Sequence, residues 1–272
     1  MRLIVHGASG RMGRRVVALA AAQPGWQVVA ALGRPGSQLL GRDAGELAGV
    51  GPLGVPLQPR WPEQLQADAA IDFSTPPAAA RFVQQCAARA VPVVVGTTGL
   101  QPAERAVLER AAERVAVLLA ANLSTGVALL QRLVREAAAA LGLQAEIEIV
   151  EVHHRHKRDA PSGTALVLAR AAAAARGQDV EAVLRRGRPA EQGAASRSPG
   201  EIGLHAVRLG EVVGEHTVMF AFGAERLELT HRAHDRDVFA QGALRAAAFV
   251  RSAPPGLYGP EAALGAGAGG TP

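Results

Sequence analysis

Lys157 is the sole lysine of a chain that carries 29 Lys and Arg residues. It lies in the string His153-His154-Arg155-His156-Lys157-Arg158-Asp159-Ala160-Pro161-Ser162-Gly163-Thr164-Ala165. Surface charge and ion pairing accept either base. Proton transfer does not, because Arg stays protonated while Lys can give up its proton when partly buried. A lone Lys beside three His therefore reads as a proton donor placed for a reaction. Pro161 and Ser162 suit a helix start, and the N–H groups of Ser162, Gly163 and Thr164 would then form a cradle for a carboxylate. Titratable His residues beside that cradle add acid–base groups. The competing reading of three close His is a metal site. Adjacent strand residues point to opposite faces, no Cys or acidic set accompanies them, and neighbouring Lys and Arg repel a cation, so no metal ligand is assigned. A purely structural role for one or more of these His stays open, and His231 and His234 are assigned nothing.

A second group of residues concerns phosphate. Gly7-Ala8-Ser9-Gly10-Arg11-Met12-Gly13 follows a first apolar strand and opens a helix. Glycines there allow close backbone approach and leave N–H donors at a helix N-terminus, a variant of the dinucleotide fingerprint. Gly-rich turns elsewhere often only reverse the chain; the position at the start of a βαβ pattern is what argues for a cofactor. After the second strand, at Ala31-Leu32-Gly33-Arg34, the acid that would bind NAD ribose hydroxyls is missing. Arg34 suits a 2′-phosphate, the alternative being an ordinary surface Arg. Gly96-Thr97-Thr98-Gly99 and Asn122, the sole asparagine, fall at the ends of later strands. Ligands bind at that edge of open α/β sheets, so both are candidates for the nicotinamide end.

The elements that must position these groups follow from periodicity. Strands at 2–6, 27–32, 69–73, 91–95 and 115–120 alternate with helices at 11–22, 77–89 and 102–113, which predicts a parallel, doubly wound sheet. Beyond Asn122 the pattern becomes α+β: helices at 126–141 and 164–176, a strand at 146–154, and strands near 202–208, 211–220 and 226–231 in a largely antiparallel sheet. A last helix is expected at 237–251. Residues 1–124 and 236–262 would form the dinucleotide-binding domain and 125–235 an inserted substrate domain. Glu191–Gly200 reads as a mobile loop and 263–272 as a flexible tail.

Composition narrows the class. With 272 residues, 49% hydrophobic and 19% charged, the chain suits a globular protein with ample core. A net charge of +5, with Arg spread among acids, does not predict nucleic-acid binding. Cys86, the one cysteine, can form no internal disulfide. No apolar run reaches membrane-spanning length, and no leader segment is evident. A cytoplasmic location is expected.

With these residues in hand, the chain resembles the 4-hydroxy-tetrahydrodipicolinate reductase family, formerly dihydrodipicolinate reductase, over nearly its whole length. The likeness rests on Gly7–Gly13, Asp72–Pro76, Gly96–Gly99, Ala121–Ser124, the His153–Ala165 string and Gly210–Thr217. It implies a Rossmann-type domain closed by the last helix, and an inserted α+β domain that binds substrate and builds a homotetramer. It implies reduction of a cyclic imine dicarboxylate by a nicotinamide cofactor with loss of water, in lysine biosynthesis. His153 matches the family's proton donor/acceptor and Lys157 its proton donor. His154, Gly163 and Thr164 match substrate contacts. Gly7, Ala8, Ser9, Gly10, Arg11, Met12, Arg34, Gly96, Thr97, Thr98, Ala120, Ala121, Asn122 and Leu123 match cofactor contacts. Many members carry an acid where this chain has Gly33, so NADPH is expected to be preferred over NADH. Two rivals remain: another two-domain nicotinamide-dependent dehydrogenase of amino-acid metabolism, which would lack the His-Lys string, and a non-catalytic dinucleotide sensor, which would not need Lys157.

Overall fold

The computed structural model describes residues 1–188 and 196–265. Its strands are β1 (Arg2–His6), β2 (Gln27–Leu32), β3 (Leu57–Gln58), β4 (Ala69–Asp72), β5 (Val93–Val95), β6 (Ala116–Leu119), β7 (Glu146–His153), β8 (Leu184–Arg186), β9 (Ile202–Arg208), β10 (Gly214–Phe222), β11 (Glu225–Ala233) and β12 (Gly256–Tyr258). Its helices are α1 (Arg11–Ala22), α2 (Ala44–Ala48), α3 (Pro76–Ala88), α4 (Pro102–Ala112), α5 (Thr125–Leu141), α6 (Gly163–Ala175), α7 (Val180–Val183) and α8 (Asp237–Ser252). The chain divides into two compact units, Met1–Thr125 with Asp237–Pro272, and Gly126–Arg236.

The first unit is a seven-stranded sheet of order β12-β6-β5-β4-β1-β2-β3, parallel at every pairing. A parallel sheet is covered on both faces, so its strands read as continuous apolar runs. In β1, Leu3 and Val5 join the core under α1 and α8, while Ile4 joins the core under α3. The same alternation sends Ala69 and Ile71 of β4 one way and Ala70 the other. Gly13, Val16, Val17 and Ala20 form the buried stripe of α1, at helical spacing. The progression of strands reverses between β1 and β4, the place where open α/β sheets bind ligands.

The second unit is a five-stranded sheet of order β11-β10-β7-β9-β8. Ile147, Ile149, Ile202, Leu204, Val218 and Phe220 pack one face against Leu130 and Val134 of α5 and Leu168 and Ala172 of α6. Burying each such large side chain stabilises by roughly 1.5–3 kcal/mol. The expected antiparallel character holds for the long β7–β10–β11 ladders, but β7–β9 and β9–β8 are parallel, so the sheet is mixed. The reason is α6, which lies between β7 and β9 in the chain and provides the crossover a parallel pair requires.

Three other expectations need correction. β10 begins at Gly214, because Gly210 turns the chain at φ +51. The tail does not begin at 263, since Ala263 is only 5% exposed and belongs to the core of the first unit; residues 266–272 lie outside the described residues. Of the expected mobile loop, 191–195 lies outside the described residues. Arg197, which follows, is anchored, donating to the carbonyls of Ile147 at 3.2 Å and Glu201 at 2.6 Å and pairing with Glu148.

Candidate active site

In the first unit the C-terminal ends of β6, β5, β4 and β1 lie side by side. Gly7–Gly13, Asp72–Thr75, Gly96–Thr98 and Ala120–Leu123 therefore share one edge, and Arg34 follows neighbouring β2. Gly7 has φ +76, and a Cβ there would fall 2.3 Å from the Phe73 carbonyl oxygen, so the position needs glycine. A Cβ on Gly13 would fall 2.2 Å from the Gly7 carbonyl, so this glycine lets α1 approach the turn. Gly10 caps α1 without any side-chain bond, and the first turn holds no acid. The N–H groups of Gly7 and Ala8 go to the Leu32 carbonyl at 2.9 and 3.0 Å, and that of Gly10 to the Gly7 carbonyl at 2.9 Å. Those three residues supply shape, and the positive end of α1 at Arg11, Met12 and Gly13 supplies attraction for an anion. The Arg14 Nε donates to the Ser9 carbonyl at 2.9 Å and steadies the turn. The residues fit a dinucleotide pyrophosphate.

The other loops on this edge are tied by Asp72, whose place in the chain gave no signal beyond its loop. Its buried carboxylate accepts from Ser74 Oγ at 2.7 Å and Thr97 Oγ1 at 2.5 Å, and lies 2.6 Å from His6 Nδ1. The Thr97 hydroxyl therefore points inward; exposed Thr98 is the residue of that pair open to a ligand. Asn122 accepts the Ser124 N–H at 2.8 Å through Oδ1. Ala120 and Leu123 are buried, while Ala121 and Arg34 are exposed.

In the second unit, the core face of β7 runs Ile147, Ile149, Glu151, His153. The last two carry the chemistry. His153 Nδ1 lies 2.6 Å from Glu151 Oε2, and its Nε2 is on the side of Gly214, where a Cβ would sit 3.1 Å away. Burial lowers the His153 pKa, and the Glu151 hydrogen bond and charge only partly offset this. Burial raises that of Glu151, but the hydrogen bonds from Arg208 and His153 outweigh it and hold the carboxyl below its ordinary value. Lys157 Nζ donates to Asp159 at 2.8 and 2.9 Å, and this bond lowers the Asp159 pKa. The Lys157 side chain is 19% exposed against 65% for Asp159, so the ammonium is the sheltered partner.

Ser162 caps α6, its Oγ accepting the Ala165 N–H at 3.2 Å. The Ser162 hydroxyl lies 3.1 Å from His216 Nε2. Burial, and next the nearby His153, push the His216 pKa down to about 3. The Ser162 N–H donates to Glu151 Oε1 at 3.1 Å. It is thus withdrawn from the expected carboxylate cradle, because the buried acid needs a donor more than the helix end does. Gly163 and Thr164 remain at the start of α6, whose first turn holds no acid. A Cβ on Gly163 would meet nothing within 4 Å, so this end is open. His154, with Nδ1 buried and unpartnered, completes the cluster, while exposed His156 turns toward Glu211 at 3.8 Å. Among the described residues no group of His, Cys, Asp or Glu is placed to hold a metal ion, and no helix is long and apolar enough to cross a membrane.

Sequence reasoning missed Glu151, Arg208 and His216. The available signal for two of them was phase: Glu151 and His153 continue the buried phase of Ile147 and Ile149, and His216 that of Val218 and Phe220.

A sheet of this order with a glycine turn at its switch point defines a dinucleotide-binding α/β protein. The second unit adds acid–base groups beside an open helix N-terminus. Residues 1–123 match the N-terminal domain of dihydrodipicolinate reductase and residues 126–264 its C-terminal domain. The 4-hydroxy-tetrahydrodipicolinate reductase of Halorhodospira halophila is 51% identical over 93% of this chain and 95% of its own. That of Afipia carboxidovorans is 47% identical over 98% of both chains. The dipicolinate-bound dihydrodipicolinate reductase of Paenisporosarcina sp. TG-14 superposes with a TM-score of 0.77 at 25% identity, over 95% of this chain and 97% of its own. The chain belongs to the dihydrodipicolinate reductase family and is a nicotinamide-dependent reductase.

Proposed function

We propose that the enzyme reduces 4-hydroxy-tetrahydrodipicolinate to tetrahydrodipicolinate, in the cytoplasm and on the diaminopimelate route to lysine. The observation that carries this reading is the convergence of His153, Lys157 and the start of α6 within one unit of a chain about half identical to the named reductases. Overall, a C–OH bond of the substrate is replaced by C–H; the hydroxyl leaves as water with one proton, and NAD(P)H becomes NAD(P)⁺. Gly7–Gly13, Arg34, Gly96–Thr98 and Ala120–Leu123 would hold a reduced nicotinamide cofactor, which would supply the hydride when bound. Lys157 supplies a proton. His153, neutral because it is buried, offers Nε2 as acceptor and then donor. His154, Gly163 and Thr164 hold the substrate carboxylates. Loss of the reduced cofactor's near-ultraviolet absorbance on adding freshly made substrate tests this; no loss with either cofactor would overturn it.

The open start of α6 carries its own expected result. Pyridine-2,6-dicarboxylate presents two carboxylates but accepts no hydride, so it should compete with substrate. A Cβ at Gly163 meets nothing within 4 Å, and Gly163→Val would place methyl groups where a carboxylate would approach. The inhibition constant should rise about tenfold or more, the scale of one charge-assisted hydrogen bond. Unchanged inhibition in a folded Gly163→Val protein would move the carboxylate elsewhere.

Cofactor choice rests on Arg34. A Cβ on Gly33 would press on Leu57 Cδ2 at 3.0 Å, so restoring an acid there disturbs packing, and Arg34→Ala is the cleaner test. Arg34 is exposed, which sets its bond to a 2′-phosphate at the weak end of about 1.5–3 kcal/mol. NADPH should be preferred about tenfold, with residual NADH use. Arg34→Ala should weaken NADPH and leave NADH nearly unchanged. A wild-type preference for NADH, measured as kcat/KM, would refute this assignment.

A partly exposed apolar face of the second sheet supports a homotetramer. Opposite α5 and α6 it carries Val150, Val152, Thr217 and Met219, partly exposed, with Val207 39% exposed. Light scattering on the purified protein checks the assembly.

A further inference from the structure

Glu151 takes no part in the reaction as written above, yet three pieces of the site converge on it. Its side chain is 0% exposed. Oε2 lies 2.6 Å from His153 Nδ1 and accepts from Arg208 Nη1 at 2.9 Å. Oε1 accepts from the Ser162 N–H at 3.1 Å and from Arg208 Nη2 at 3.0 Å. Arg208 also donates to the Asp159 carbonyl at 2.7 Å and reaches the Lys157 carbonyl at 3.4 Å. One carboxylate therefore bonds the histidine, the residue that opens α6 and, through a single guanidinium, both flanks of the lysine loop.

Packing does not call for this arrangement. Two and four positions earlier on the same strand face, Ile149 and Ile147 fill the core. Burying an ion pair in place of apolar groups usually brings no gain in stability. A buried carboxylate against a histidine nitrogen fixes which nitrogen holds the proton. We infer that Glu151 is a positioning residue: it holds His153 as the Nδ1–H tautomer with Nε2 toward the substrate, and aligns the α6 start and the Lys157 loop with it. The inference rests on the reading of His153 as the acid–base group.

The charged and titratable groups facing His153 are Glu151 on its own strand, Lys157 in the loop after it, Arg208 on β9 and His216 on β10. Glu151 is the acid among them, so neutralising it removes the influence that favours the imidazolium. In Glu151→Gln the limb of the pH–rate profile set by His153 should move about one unit toward acid. kcat should fall at least about 10-fold, toward the about 10⁴-fold seen where the carboxylate behind an acid–base histidine is neutralised. The KM for cofactor should stay within about twofold. Glu151→Asp restores the charge and should return the limb part of the way. A merely structural role would lower Tm and leave kcat in place. Imidazole nitrogen NMR of the wild type needs no variant to fold: it should show His153 protonated at Nδ1. Protonation at Nε2, or a folded Glu151→Gln enzyme with unchanged limb and kcat, would overturn the inference. The reading it rests on fails separately, if His153→Gln retains full turnover.

Discussion

Lys157→Arg is expected to lower kcat by about 10²-fold or more, the scale of a lost general acid. The substitution keeps the positive charge and removes the usable proton, since a guanidinium does not deprotonate in proteins. Asp159, bonded to Nζ at 2.8 and 2.9 Å, can pair with Arg as well, so the loop keeps its ion pair. The loop backbone is held independently by the Lys157 N–H on the His154 carbonyl at 3.1 Å and by Arg208. Lys157→Met separates the two possible roles. If charge alone mattered, Arg would recover most activity and Met none. If proton donation matters, both variants fall together. Cofactor affinity should hardly change in either, because the glycine turn, Arg34 and the Thr98 loop belong to the other unit. Near-wild-type turnover in Lys157→Arg would remove Lys157 from the chemistry.

The long elements were legible because their periods are unambiguous. β1, α1 and β2 fall where the apolar pattern puts them, and α3 to α6 shift by a residue or so. The short strands, Leu57–Gln58, Leu184–Arg186 and Gly256–Tyr258, carry too few residues to show a period and exist only through pairing, and the one-turn helix Val180–Val183 rests on its Asp179 cap, which accepts the Glu181 N–H at 3.1 Å. α2 is also short, but Asp43 caps it by accepting from Gly45 and Glu46 at 2.8 and 3.2 Å, a cap signal present in the sequence itself. The same split runs through the site. Lys157 and His153 announce themselves by rarity and clustering. Glu151 hides among Glu146 and Glu148, which face the other side of β7; only the shift of phase marks it as buried. Arg208 and His216 come from β9 and β10, and no local pattern places them beside β7. Sheet register does: Arg208 pairs with His153, and His216 with Glu151.

Register also gives this site an acid-labile point. His216 sits across from Glu151 and is 3% exposed. Its pKa, about 3 against an ordinary 6.5, means that the folded protein keeps it neutral while the unfolded chain takes up a proton below pH 6.5. Between those two values the unfolded state binds more protons, so stability falls as pH falls and is fully present only above 6.5. At pH 5 the loss is on the order of 2 kcal/mol, at about 1.4 kcal/mol per unit, or a Tm lower by roughly 4–8 °C. His153 acts in the same direction, since its pKa is also lowered by burial. Glu151 adds a loss of the same sign, but only in a more acid range, because its folded pKa lies below 4.5. His216→Gln tests the assignment. Its side-chain oxygen can still accept from the Ser162 hydroxyl, yet it binds no proton. The variant should be less stable at neutral pH and should lose much less further stability between pH 6.5 and 5. Equal slopes of Tm against pH for wild type and variant would show that another group takes up the proton.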